Sequence, residues 1–319
     1  MQIFNPTITV VMSVHNGAEF LSRALESVRS QTWQDWECLV VNDASTDVTP
    51  QILADYAGRD LRFRILRNEE KRGPFVSANT AARQARGEFL FRLDADDEAL
   101  PHRLATQIAF FREHPSVDAV LGNITAINAQ NQPLPLAITT PMTSEVLQWS
   151  LCLHCYLTHS TAAFRREAFL REGGYAEKDF YAQDYRLWCN WSRAGKIAVL
   201  PEALVRYRIH PTQISVAKVD EQQACTRRAL QDHLAALTGR VWSETEILDL
   251  NRAAYARGVR LGRGLRALRH WQNSWQADPR LSPAGRHELG ELSNIARRKF
   301  IRHRLRHRPH EILWNWFQS

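Results

Sequence analysis

Over the first 120 residues, short apolar β-rich runs alternate with stretches whose apolar positions recur every three or four residues. Ile8–Met12, Glu37–Val41, Phe63–Leu66, Phe89–Leu93 and Ala119–Leu121 predict strands. Ala18–Ser30, Val48–Ala57, Val76–Ala85 and Arg103–His114 predict the helices between them. Thr46-Asp47 and Pro101 are start signals for the second and fourth of these helices. Such alternation predicts an α/β fold, a mostly parallel sheet with helices on both faces. Ligands of such sheets bind beyond the carboxyl ends of the strands.

The pattern changes twice further along. Between 122 and 218 it is less regular. Asn128–Pro135 reads as a turn closing a hairpin, Gly173-Gly174-Tyr175 follows a short helix, and Tyr181–Arg193 predicts a Trp-rich helix. Val199–Tyr207 predicts a strand broken at Pro201. From Val219 the pattern is helical to the end, with breaks near Gly239, Asp278-Pro279 and Pro309. The expected organisation is therefore an α/β domain over 1–218 and a helical extension over 219–319.

Composition narrows the class. With 319 residues, 44% hydrophobic and 24% charged, the chain suits an ordinary globular protein. No apolar run reaches the ~20 residues of a spanning helix, and Asn5-Pro6-Thr7 followed by the short Ile8–Met12 run does not read as a signal peptide. Five scattered cysteines (38, 152, 155, 189, 225) are no disulfide framework, so a reducing, cytoplasmic setting is expected. The net charge of +7 is uneven: residues 1–220 hold 23 basic and 25 acidic side chains, and the last 99 hold 18 and 9. The excess peaks in Arg297–His310 and ends on Ile312, Leu313, Trp314, Trp316 and Phe317. Cations beside indole rings suit the anionic inner face of a membrane. A solvated helix face with a docked tail is the plainer alternative, and no nucleic-acid recognition motif accompanies the charge.

The chemistry-bearing residues cluster at strand ends. Asp94, Asp96 and Asp97 follow the strand Phe89–Leu93 directly, so mutual repulsion demands a compensating cation. Hard oxygen ligands suit Mg²⁺ or Mn²⁺ shared with substrate phosphates. Asp43 lies just past the second strand, and Ser13-Val14-His15-Asn16-Gly17 ends the first. Three polar strand ends on one edge of a parallel sheet point to one site. Other motifs do not. Cys152-Leu153-His154-Cys155 lacks the second Cys/His pair that a zinc site needs, and Gly262-Arg263-Gly264-Leu265-Arg266-Ala267 has no preceding strand to make it a dinucleotide loop. Asn123-Ile124-Thr125 is a glycosylation sequon only in a secreted chain.

In order along the chain, TVVMSVHNGAEFLSRALESVRSQTW, ECLVVNDASTDVT, RGPFVSANTAARQARGEFLFRLDADD, HSTAAFRREAFLREGGY, QDYRLW and YRIHPTQIS resemble the motifs of glycosyltransferase family 2. The likeness covers about Thr7 to Ser215 and leaves the last hundred residues unmatched. It implies a GT-A fold and inverting transfer from a nucleotide-sugar. Under it, Ser13, Val14 and Asp43 resemble residues that meet the nucleotide base, with Arg72 a further donor-side contact. Asp94-Ala95-Asp96 resembles the Asp-x-Asp motif, the first acid near the ribose and the second on a Mn²⁺ or Mg²⁺ ion. His210 resembles a metal ligand or diphosphate contact of some members. Asp184 falls at the catalytic carboxylate, preceded by Gln183 where relatives often carry Glu.

His159, Gln183 and Trp188 fall in the expected acceptor region, although His159 reads equally as a packed core histidine, and Trp188 and Trp191 have core spacing. The implied partners are a nucleotide-sugar donor, a UDP-sugar by Asp43, and a glycan or lipid-linked saccharide of a bacterial surface polysaccharide. The absence of a Gln-x-x-Arg-Trp motif favours single additions. Two other classes are a nucleotidyltransferase, disfavoured because Ser13–Phe20 has one glycine and no basic residue, and a catalytically degenerate binding protein of the same fold.

Overall fold

The computed structural model describes residues 5–137, 143–153, 155, 157–176, 181–213, 218–254 and 259–307. The N-terminal part alternates β1 (Ile8–Val14), α1 (Leu21–Arg29), β2 (Trp36–Asp43), α2 (Thr49–Arg59), β3 (Phe63–Asn68), α3 (Pro74–Gln84), β4 (Phe89–Arg92), β5 (Glu98–Ala99) and α4 (Arg103–Glu113). Then come β6 (Ala119–Asn128), β7 (Pro133–Ala137), α5 (Ser144–Ser150), a 3₁₀ turn at His159–Thr161, β8 (Ala163–Arg165), α6 (Arg166–Arg171), α7 (Gln183–Arg193) and β9 (Ile197–Ile209). The extension is helical: α8 (Val219–Thr238), α9 (Glu244–Ala254), α10 (Leu261–Gln276) and α11 (Pro283–His307).

The strands form one nine-stranded sheet in the order β3-β2-β1-β4-β8-β6-β9-β5, with β7 paired to β6. β3, β2, β1 and β4 run parallel, β8 is antiparallel to both β4 and β6, and β9 is parallel to β6. Both faces are covered. Ile8, Val10, Met12 and Val14 of β1 pack with α1, whereas Val11 joins Leu39 and Val41 of β2 on the other side with α3. This period-two split, with apolar residues on both faces, is what a doubly covered parallel sheet requires. In α1 the buried Leu21, Ala24, Leu25 and Val28 show the matching helical spacing.

Two sequence expectations change here. β9 continues through Pro201 instead of breaking, because its pairing with β6 shifts register between Leu121 and Ile124. The shift leaves the missing Pro201 N–H without a ladder partner to lose, and Asn123 Nδ2 donates to the Pro201 carbonyl at 2.8 Å. The Asn128–Pro135 turn does close a hairpin, between β6 and β7, with Asn131 left-handed at φ 65°. In the extension, α8 ends on left-handed Gly239 and the Asp278-Pro279 break separates α10 from α11; Pro309 and the aromatic cluster lie outside the described residues.

The extension is docked. Trp271 Nε1 donates to the Trp149 carbonyl at 3.1 Å, and Trp149 Nε1 to Asp278 Oδ2 at 2.9 Å. Ser282 N donates to Glu145 Oε2 at 2.9 Å. One apolar cluster runs from Val11, Leu39 and Leu90 of the sheet through Trp149, Tyr185 and Trp191 to Trp242, Trp271 and Phe300. Gly264 lies inside α10, where a Cβ would stand 2.3 Å from Phe300 Cζ, so this glycine serves helix packing and not a phosphate loop.

Candidate active site

The carboxyl ends of β1, β2 and β4 bring the polar strand ends together. Asp43, 2% exposed, spends its carboxylate on the chain: Oδ1 accepts from Asn68 Nδ2 (2.7 Å) and the Arg72 amide (2.9 Å), Oδ2 from the Gly73 amide (2.8 Å). Burial opposes its ionisation, but the Arg72, Asn68, Gly73 and Ser77 hydrogen bonds outweigh that and lower its pKa. Gly73, at φ 91°, makes the turn that aims both amides at one carboxylate. Ser13 Oγ donates to the Pro74 carbonyl at 3.1 Å, which ties the same loop to β1. The Arg72 side chain stands exposed at the rim, and the Val14 side chain is buried in the core, leaving its backbone for any ligand.

The acidic loop after β4 is split by its surroundings. Asp94 Oδ1 accepts from buried Arg92 at 2.5 Å, its amide donates to Ser160 Oγ at 2.8 Å, and Oδ2 lies 3.8 Å from His159 Nδ1. Partial burial opposes its charge, but Arg92 and His159 hold the carboxyl well below the usual range. Asp97 is the reverse. It is buried, Oδ1 accepts the Arg208 amide at 2.8 Å, and burial with the charges of Asp96 and Asp94 pushes it well above the ordinary range. Buried Arg208 also donates through Nε to the Asp96 carbonyl at 2.7 Å and through Nη2 to Glu98 at 2.6 Å, fixing the loop's far side. The repulsion among the three acids is thus relieved by protein cations and by an acid inclined to keep its proton.

Asp96 faces the opening, its side chain 34% exposed, with Oδ2 3.0 Å from His210 Nε2. His210 Nδ1 meets Thr212 Oγ1 at 2.9 Å, which orients the ring, and Phe20 packs on it with centroids 5.0 Å apart. An oxygen and an imidazole nitrogen about 3 Å apart match adjacent ligands at ~2.1 Å around an octahedral cation. Two protein ligands plus substrate phosphates suit Mg²⁺ or Mn²⁺, so these residues fit such an ion.

Across from this pair, α7 opens with Gln183 and Asp184. Asp184 Oδ1 accepts its neighbour Tyr185's amide at 2.7 Å. Burial raises its pKa, partly offset by His159 and reinforced by the charge of Asp94. His159 also contacts the Tyr175 hydroxyl through Nε2 at 2.6 Å, and Phe75 packs beside both rings. The 3₁₀ turn and the start of α7 therefore converge on the acidic loop.

Two acceptor-side expectations are corrected. Trp188 is 0% exposed, stacked on Phe164 at 6.0 Å within the core, so no sugar can lie on it; Trp191 is likewise core. Gln183 is 1% exposed and turned inward, donating to the Ala176 carbonyl at 2.6 Å, so it braces the turn after Tyr175 instead of facing an acceptor. The sequence reading missed Arg92, Ser160, Tyr175 and Arg208. Arg92 carried a signal, a lone arginine in an apolar strand; Arg208, Ser160 and Tyr175 carried none.

The sequence pattern described as Glycosyl transferase family 2 matches residues 9–172, half the chain. A glycosyltransferase of Haemophilus influenzae is 23% identical over 76% of this chain and 78% of its own length. An Escherichia coli UDP-Glc:alpha-D-GlcNAc-diphosphoundecaprenol beta-1,3-glucosyltransferase is 26% identical over 67% of this chain and 81% of its own. Among solved structures, Staphylococcus aureus TarS 1-349 with UDP-GlcNAc superposes with a TM-score of 0.60 at 19% identity, over 93% of this chain and 89% of that one. A Pyrobaculum calidifontis mannosyltransferase with GDP-Man and Mn²⁺ gives 0.55 at 20%, over 93% and 84%. The polar strand ends, the Asp-x-Asp loop and the matched sequence agree: the chain belongs to glycosyl transferase family 2, with a GT-A-like fold, and is a glycosyltransferase that uses a nucleotide-sugar donor.

Proposed function

We propose that the enzyme transfers one sugar, with inversion, from a UDP-sugar to a hydroxyl of a glycan or lipid-linked saccharide. The observation that carries this reading is the placement of Asp184, an aspartate with a raised pKa, in the group formed with His159 and Asp94, while Asp96 and His210 form a separate polar pair. A base with a raised pKa accepts a proton well near neutral pH. Asp184 takes the acceptor hydroxyl's proton as that oxygen bonds to the anomeric carbon; the carbon–phosphate oxygen bond breaks and the diphosphate leaves with its electron pair. Asp96 and His210 would hold the divalent ion, which neutralises the charge developing on the diphosphate. Ser13, Asp43 and Asp94 would orient the nucleoside. UDP in the TarS complex and UDP-Glc in the Escherichia coli relative's name support the choice of base, and that name also supports a lipid-linked acceptor.

A panel of UDP-, GDP-, dTDP- and CMP-sugars, each with Mn²⁺, Mg²⁺ or EDTA, tests the reading. Metal-dependent hydrolysis of one donor, lost in Asp96→Ala, is expected; metal-independent release, or nucleotidyl transfer, would overturn it. The anomeric configuration of the product by NMR decides inversion.

We also place the enzyme in the cytoplasm, with its acceptor at the inner membrane face. No helix among the described residues is long and apolar enough to cross a membrane. The outer side of α11 exposes Arg298, Lys299 and Arg302 beside Ile295 (58% exposed). Phe300 is buried against Gly264, so a truncation that tests membrane contact must begin beyond it, at 304. Removing 304–319 should weaken binding to anionic liposomes without changing donor hydrolysis; unchanged binding would mean that the segment after His303 makes no membrane contact.

A further inference from the structure

Arg92 sits where packing alone does not call for it. It ends β4, is 3% exposed, and its surroundings are largely apolar: Val11, Ala78, Leu90, Phe164, Phe169 and Tyr175 line a small void beside it. A buried guanidinium is costly unless paired, and an apolar side chain of similar volume commonly packs at least as well. Its Nε has no hydrogen-bond partner among the described residues. What it does hold lies entirely on the donor side. Nη2 donates to Asp94 Oδ1 at 2.5 Å and to Ser13 Oγ at 3.1 Å, and Nη1 reaches the Val11 carbonyl at 3.4 Å.

Asp94 lies just past β4 and Ser13 near the end of β1, neighbouring strands paired in parallel with Val11 opposite Arg92. A single nitrogen therefore fixes two side chains from two strands. Asp94 is flanked on its other oxygen by His159, so protein groups answer its charge from both sides. Asp96 differs: among the described residues its side chain pairs with His210 alone, and it stays open to an ion.

We propose that Arg92 is a positioning residue for the nucleotide-sugar donor, locking Asp94 and Ser13 into the orientation that meets the nucleotide, and that it does so independently of the metal. Arg92 does not touch the donor itself. This rests on the reading of Ser13 and Asp94 as donor-facing groups.

The test is calorimetric titration of the full-length protein with UDP, once with Mn²⁺ and once with EDTA. Wild type, Arg92→Met, Arg92→Lys, Asp94→Asn and the Arg92→Met/Asp94→Asn double variant are compared, each with its unfolding midpoint. Arg92→Met should weaken UDP about tenfold, the size of one lost charge-assisted hydrogen bond. The factor should be the same with and without Mn²⁺. The double variant should lose less than the sum of the two single losses, because Arg92 acts in part through Asp94 and in part through Ser13. Arg92→Lys, which keeps the charge but not the fork, should fall between wild type and Arg92→Met, and it carries the test if Arg92→Met does not fold.

Unchanged affinity in Arg92→Met, strictly additive losses, or a loss confined to the Mn²⁺ titration would each overturn the inference. If wild type itself binds no UDP under either condition, the donor reading fails and takes the inference with it.

Discussion

The donor end of the sheet and the junction between α5, α7 and the C-terminal helices are both buried, but they are built oppositely. At the donor end Arg92, Arg103 and Arg208, each 3% exposed or less, are threaded among Asp43, Asp94, Asp97 and Glu98. Arg103 is pinned by the Arg92 carbonyl at 2.6 Å and Gln107 Oε1 at 3.1 Å, and burial pushes it down to about 9. At the junction the volume is filled by Trp149, Trp191, Trp242 and Trp271, with single hydrogen bonds closing the indole ends of Trp149 and Trp271. The first region holds charges in place at a cost in desolvation; the second gains stability from apolar area. Substitutions should therefore separate activity from stability according to which region they enter.

The largest effect belongs at the donor end. Asp96→Ala should lower kcat/KM by about 10³-fold or more, ~4 kcal/mol of transition-state stabilisation. Among the described residues its partly exposed side chain pairs with His210 alone, so the unfolding midpoint should move by no more than a surface substitution moves it. An Asp96→Ala enzyme that unfolds early would blur the contrast. Trp271→Ala is the mirror image. It empties a fully buried site and removes the indole donor to the Trp149 carbonyl, which keeps the Cys152 amide at 3.2 Å; this should cost roughly 3–4 kcal/mol in urea unfolding. The donor KM of the protein that remains folded should stay at the wild-type value. A raised KM would mean that the extension shapes the donor site.

The same contrast explains what the sequence disclosed. The donor end was legible because its chemistry sits in short contiguous segments at strand ends: Asp43 closing β2, Asp94 and Asp96 after β4, and His210 just past β9. Strand–helix alternation gave the parallel half of the sheet for the same local reason. The insertion of β8 between β4 and β6, and the docking of α10 on α5, depend on partners far apart in the chain. No period in the sequence encodes them. Gln183 and Trp188 failed as acceptor residues because a motif places a residue on a helix but not on one of its faces; α7 is buried nearly all round. Arg92 was overlooked because a strand arginine acquires meaning only when Ser13, from another strand, is seen beside it.

His233 makes the junction sensitive to acid at a higher pH than the lowered carboxyls of Asp43 and Asp94 make the donor end. It is fully buried between Arg193, whose Nη1 lies 2.6 Å from Nδ1, and the Gln148 carbonyl, 2.7 Å from Nε2. Burial, with Arg193, lowers its pKa from 6.5 to about 4 despite the Gln148 carbonyl. The unfolded chain thus takes up a proton at a higher pH than the folded one. Stability is complete above about 6.5 and is lost as the pH falls toward about 4, by at most ~3 kcal/mol. Urea unfolding at pH 7.5 and pH 5 should show this loss in wild type and not in His233→Met. An equal loss in both would assign the acid sensitivity to other groups.

The smallest effect returns to the donor end and tests whether His159 acts on the base electrostatically or only as packing. Burial raises the pKa of Asp184, and His159 is the first of the groups that oppose the rise. Asp184 must be ionised to take a proton, so activity should climb through an acid limb lying above the ordinary aspartate range. In His159→Asn the opposing charge is gone while burial and the charge of Asp94 remain. The pKa of Asp184 should then rise further, and the acid limb of kcat should move to higher pH. The rate on the plateau should change less than the rate on the limb, because the catalytic carboxylate is still present once ionised. Asp94 loses a partner in the same variant, which should appear separately as a higher donor KM at all pH values. A limb that stays in place while KM rises would confine His159 to holding Asp94. A limb that moves to lower pH would overturn Asp184 as the group that sets it.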